Sequence, residues 1–68
     1  MNGAEFLRRA RRYARRNRQE FRFDKAGGKG SHGKLYIGGG RTVVKHGEIS
    51  KGMLWSMLRQ LGIEHEDF

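Results

Sequence analysis

Lys34-Leu35-Tyr36-Ile37-Gly38-Gly39-Gly40-Arg41-Thr42-Val43-Val44-Lys45 decides the fold of this chain. Two short runs rich in β-branched and aromatic residues flank three consecutive glycines. Glycine reaches positive φ without a steric penalty, and tight hairpin turns need that. Residues 33–37 and 41–45 therefore read as antiparallel strands joined by a turn at 38–40. Side chains alternate faces along a strand, so Leu35 and Ile37 share one face. His32, Lys34 and Tyr36 take the other if the strand is extended from its start. In the following strand Val44 is set inward, with Arg41 and Lys45 outward. Upstream, Glu20-Phe21-Arg22-Phe23-Asp24 alternates strictly, with both phenylalanines on one side, and reads as a further, half-buried strand. The open face of such a sheet gathers His32, Lys34, Tyr36, Arg41 and Lys45, with Arg22 beside them.

Amphipathic helices bracket the strands. Over residues 2–17, Asn2 holds the N-cap position and Glu5 follows at capping-box spacing. At about 100° per residue, Phe6, Leu7, Ala10, Tyr13 and Ala14 form one side. Arg8, Arg9, Arg11, Arg12, Arg15 and Arg16 form the other, and Asn17 and Arg18 end the helix. After the strands, Ser50 is the expected N-cap of a second helix with the apolar stripe Met53, Leu54, Met57, Leu58 and Leu61. Gly62 closes it in the left-handed conformation, with Ile63 folding back. Trp55 lies off that stripe beside Arg59 and is a candidate contact for a partner; the plainer reading is a ring lying flat over its own helix. The closing Glu64-His65-Glu66-Asp67-Phe68 is acidic and reads as a mobile tail. The order is α-β-β-β-α, in the α+β class. Both helices are expected on one face of a three-stranded antiparallel sheet, the layout of a double-stranded-RNA-binding domain.

At 68 residues the chain makes one domain, 1–68, of marginal stability for its size. Neither proline nor cysteine occurs. Disulfides and thiolate metal sites are therefore excluded, and a cysteine-free chain fits a reducing, cytoplasmic setting. No apolar run is long enough to span a membrane or to serve as a signal-peptide core. Fifteen Lys and Arg oppose seven Asp and Glu, for a net charge of +8. Residues 1–25 hold nine of those cations against three acids; the remainder holds six against four. A concentrated positive field favours a polyanion, and nucleic acid is the commonest. The six helix arginines also repel one another, which phosphate contact would relieve. An anionic membrane surface fits less well, because the apolar side of that helix includes two alanines and is needed for the core.

Lys25-Ala26-Gly27-Gly28-Lys29-Gly30-Ser31 reads as a loop. It does not meet the nucleotide-binding spacing G-x-x-x-x-G-K-[ST]. It does deliver His32 to the head of a strand, where an exposed side chain rides on a held backbone. RNA cleavage without a metal needs a base for the 2′-OH proton, a cation for the charged phosphorane and an acid for the leaving 5′-oxygen. An imidazole exchanges protons near neutral pH and suits the first or third role, so His32 is the candidate catalytic residue. Lys29, Lys34 and Arg41 are the nearest cations along the chain for the second role. Lys45, Arg8, Arg12, Arg15 and Arg16 extend the RNA-binding set. His46 and His65 have no secure place near His32. No cluster of carboxylates or histidines stands at metal-ligand spacing, so neither a metal nor a small-molecule cofactor is expected. The plainer alternative is an exposed loop histidine on a non-catalytic module that holds A-form RNA by shape and phosphate contacts.

Taken together, Gly30-Ser31-His32, the α-β-β-β-α order and the closing Lys51-Gly52-Met53-Leu54 with Met57-Leu58-Arg59-Gln60-Leu61-Gly62-Ile63 resemble the HicA family. These are the toxins of bacterial and archaeal HicA–HicB toxin–antitoxin pairs. The resemblance covers nearly the whole chain. Its specific parts are the glycine-serine-histidine and the helix pattern K-G-x-L-x-x-[IML]-L-[KR]-Q-x-G; the basic first helix is generic. The resemblance implies a type II system toxin with a double-stranded-RNA-binding-domain-like fold that cleaves mRNA independently of the ribosome. It also implies that His32 is catalytic and that a HicB-type antitoxin covers the site, for which Trp55 is a candidate contact. Many members carry G-S-H-x-x-[FY], whereas here Tyr36 comes one place later.

Overall fold

The computed structural model describes residues 1–25 and 32–68. Helix α1 spans Gly3–Arg16, strands β1, β2 and β3 span Phe21–Asp24, His32–Ile37 and Gly40–Lys45, and helix α2 spans Lys51–Leu61. The α-β-β-β-α order is as the pattern predicts, and the strands form one antiparallel sheet with β2 in the middle. Local chemistry sets the ends. Asn2 Oδ1 accepts from the Glu5 N–H at 2.9 Å, and Ser50 Oγ accepts from the Met53 N–H at 3.2 Å, so each helix has a satisfied N-cap. α2 ends in a Schellman motif: Gly62 has φ 74, and the Ile63 N–H donates to the Leu58 carbonyl at 2.9 Å. No glycine stands at the end of α1. Arg18 takes the left-handed φ of 53 instead, at a cost of about 1 kcal/mol for a residue with a Cβ.

Both helices pack on one face of the sheet. Phe6, Ala10 and Ala14 of α1, Leu35, Ile37 and Val44 of the sheet, and Met57, Leu58 and Leu61 of α2 are buried in one core with Ile49 and Ile63. α2 lies against β3. There the Thr42 hydroxyl donates to Gln60 Oε1 at 2.5 Å, which satisfies a hydroxyl that points into the covered face. The other face is open, and the ladder shows what it carries. Arg22 lies opposite Tyr36, and Tyr36 opposite Arg41; Asp24 lies opposite Lys34, and Lys34 opposite Val43; His32 lies opposite Lys45. All six side chains expected on this face are on it, joined by Asp24 and Val43. Among the described residues, no helix is long and apolar enough to cross a membrane.

Two expectations are corrected. Met53 is not part of the buried stripe: it is 40% exposed in the first turn of α2, and the buried residues of that helix, Met57, Leu58 and Leu61, all lie in its later turns. The closing residues are not a free tail. Phe68 packs on Phe6 with ring centroids 5.0 Å apart. The Arg9 guanidinium covers the Phe68 ring and donates to the Phe68 carbonyl at 2.7 Å. Arg16 donates to the Asp67 carbonyl at 2.9 Å, and His65 stacks on Trp55 at 5.1 Å. One aromatic anchor and two arginines therefore tie the end of the chain from α2 back to α1.

The hairpin turn tests this packing. A Cβ on Gly40 would lie 2.7–2.9 Å from backbone atoms of Leu61, whereas one on Gly39 would meet nothing within 4 Å. Gly40→Ala should therefore lower unfolding stability by about 2 kcal/mol or more. Gly39→Ala should leave it within about 0.5 kcal/mol. Paired urea titrations measure both.

Candidate active site

Three strand ends and the first turns of α1 meet at one corner of the molecule. β2 begins there with His32, β1 ends there just before Lys25, and β3 ends there at Lys45, followed by His46. Together they line a cleft of about 530 Å³, with Lys25, His32, Lys45 and His46 as its polar groups and Leu7, Phe23 and Val44 among its apolar ones. His32 is exposed and sits across the ladder from Lys45; that pair is on the open face, at the edge of the cleft, whereas Phe23, Gly33 and Val44 are on the covered face. Gly33, next to His32, is buried under the Phe23 ring, where a Cβ would fall 2.5 Å from Cζ. The absence of a side chain at 33 thus lets an aromatic ring close the cleft floor beside the histidine.

His46 is exposed, but its backbone is held. The Gly3 N–H donates to the Gly47 carbonyl at 2.9 Å, and the Ile49 N–H donates to the Met1 carbonyl at 2.8 Å. Asn2 and Glu48 form a β-bridge, and the Met1 nitrogen pairs with Glu48 Oε2 at 3.0 Å. That ion pair is largely solvated and contributes little; the backbone bonds do the anchoring. Gly47 turns the chain at φ 100, a conformation L side chains rarely adopt.

From the cleft a groove follows the seam between α1 and β1. Leu7 and Phe23 line both the cleft and its continuation, which adds Arg8, Arg11 and Phe21. Arg11 and Phe21 pass into a further stretch with Arg15 and Gln19. The Arg11 guanidinium lies 4.9 Å from the Phe21 ring centroid. Cations over aromatic rings along a groove suit a single-stranded nucleic acid, whose phosphates and bases need both.

The structure divides the remaining expected site residues. Arg8 and Arg15 line the groove. Arg12 lies on the opposite side of α1 from the core-facing Phe6, Ala10 and Ala14, and Arg16 holds the closing segment. Lys34 and Arg41 are away from the His32 cleft, in a second concavity of about 570 Å³ with Thr42, Val43 and Gln60. Trp55 is 50% exposed, between Lys51 and His65; that stack leaves His65 remote from the cleft. Lys29 lies outside the described residues. The cleft also holds His46 and Lys25, which were not among the expected site residues, and its continuation holds Arg11 of the arginine side. For His46 the signal was the hairpin register: with Ile37 opposite Gly40, His32 falls opposite Lys45, and His46 is the next residue. Among the described residues, no group of three or more His, Cys, Asp or Glu is placed to hold a metal ion.

No family model matches the chain, nor does any curated protein or solved structure.

A Cβ on Gly3 would collide with the Lys45 carbonyl oxygen. Gly3→Ala should separate the start of α1 from the 45–49 segment and lower stability by about 1–3 kcal/mol. It should also speed amide exchange at Ile49 relative to Leu35, which hydrogen-exchange NMR would read.

Proposed function

We propose that this chain is an endoribonuclease toxin of the HicA type, acting on mRNA in the cytoplasm without a metal and restrained by a HicB-type antitoxin. The observation that carries the reading is the cleft in which His32 lies among Lys25, Lys45 and His46 at the head of a basic, aromatic-floored groove. His32 has the role of base toward the 2′-OH. Lys45, opposite His32 in the ladder, has the role of the cation for the phosphorane charge, with Lys25 on the same cleft. The groove with Arg8, Arg11 and Arg15 leads the strand to that point. The α-β-β-β-α order agrees with the fold that the HicA resemblance implies. Trp55, half exposed on α2, is the candidate contact for that antitoxin.

The alternative is a non-catalytic RNA-binding module. It is favoured by the open sheet face, where the Arg22 guanidinium lies 4.1 Å from the Tyr36 ring centroid and Arg41 lies on the other side of that ring in the ladder. The two readings part on one variant. In EDTA, the wild type should cut a defined single-stranded RNA, and His32→Ala should slow cutting by about 10²–10⁴-fold while keeping RNA affinity. Intact RNA with both proteins, with binding retained, would establish the module instead.

The RNA path has its own test. Replacing Arg8, Arg11 and Arg15 together by Gln should reduce the salt dependence of RNA binding by about two units of log–log slope, at roughly 0.7 per phosphate contact on a single strand. Replacing Lys34 and Arg41 by Gln should change the slope less. The reverse order, measured by fluorescence anisotropy across a salt series, would put the strand on the sheet face.

A further inference from the structure

RNA cleavage at His32 leaves one chemical role unfilled: something must protonate the departing 5′-oxygen. We propose that His46 is that general acid, so that the cleft carries a two-histidine acid–base pair; the inference rests on the RNA-cutting reading.

Three observations single it out. His46 lines the same cleft as His32, and it follows Lys45, the residue opposite His32 in the ladder. The chain is held before it by β3, which ends at Lys45, and after it by the bonds from Gly3 to Gly47 and from Ile49 to Met1, so an exposed imidazole is presented from a fixed base. The other proton donors fit less well. His65 is stacked on Trp55 in a separate concavity with Leu58 and Arg59. Lys25 and Lys45 share the cleft, but an ammonium is a far weaker acid than an imidazolium at neutral pH, and proton transfer is efficient when the donor's pKa lies near the working pH.

The step balances. The 2′-oxygen gives its proton to the His32 imidazole and forms a bond to phosphorus. The phosphorus–O5′ bond breaks as the His46 imidazolium gives its proton to O5′. The products are a 2′,3′-cyclic phosphate and a 5′-hydroxyl. His32 is left protonated and His46 neutral, and exchange with water resets both.

An RNA with sulfur in place of the 5′-bridging oxygen at the scissile linkage reads the role directly, because a thiolate leaves without being protonated. Purified wild type, His46→Ala, His46→Gln and His32→Ala are each given the oxygen-linked and sulfur-linked RNA under single-turnover conditions in EDTA. Both His46 variants should cut the oxygen linkage about 10²–10⁴-fold more slowly than wild type and should cut the sulfur linkage within about threefold of it. His32→Ala should be slow on both. The ratio of the two rates within one preparation does not depend on how much of that variant is folded. A His46 variant that keeps wild-type rate on the oxygen linkage, or loses equal rate on both linkages, would overturn the assignment while leaving His32 in place. A wild type that cuts neither linkage would remove the RNA-cutting reading and this inference with it.

Discussion

Phe6 is fully buried, and the molecule is arranged around the need to keep it so. A chain of 68 residues buries about 60% of its unfolded surface and can build only one core. Here that core lies on one side of a three-stranded sheet. α1 supplies Phe6 and two alanines, whose small size lets the helix approach closely. β2, β3 and α2 supply the branched and long side chains that fill the layer. Even Phe68 is drawn onto the Phe6 ring, so a segment rich in acids is ordered by one aromatic contact and by arginines that reach its backbone carbonyls.

A one-sided core forces close approaches, and the chain meets them with glycine. Gly40 passes against Leu61, Gly33 lies beneath Phe23, and Gly3 abuts the end of β3. The last two form the corner where His32 and His46 stand. His32 and His46 reach water there while the backbone around them is tied into the sheet or to α1. Exposed imidazoles on held backbones are what acid–base chemistry requires, and the proposed reaction uses that property of the corner.

The arginines of α1 illustrate how a single sequence feature is divided by packing. On the helix they form one continuous charged side. In the folded chain Arg9 and Arg16 fasten the closing segment, while Arg8, Arg11 and Arg15 border the seam with β1. Arg12 is left facing outward. Like-charge repulsion along such a helix is offset in part by these contacts with rings and carbonyls. The face is therefore partly structural, and only the seam side joins the cleft.

The elements were legible in the sequence because their causes are local. Asn2, Ser50 and Gly62 mark helix ends by capping chemistry, and strict alternation in Phe21–Asp24 and Leu35–Ile37 marks the covered face. The composition of the open face followed from the same period of two. His32 could be singled out from its place after a glycine-rich stretch. The cleft could not, since it depends on which strand ends meet. With three glycines between the strands, the sequence left the hairpin register open. The pairing of Ile37 with Gly40 sets Lys45 opposite His32, and His46 follows on the same cleft. The ordered closing segment escaped for a related reason: its anchors, Phe6 and Arg9, lie about sixty residues away. Local propensity determines where helices and strands begin and end; contacts between distant residues, which no short window of sequence contains, decide what those elements bring together.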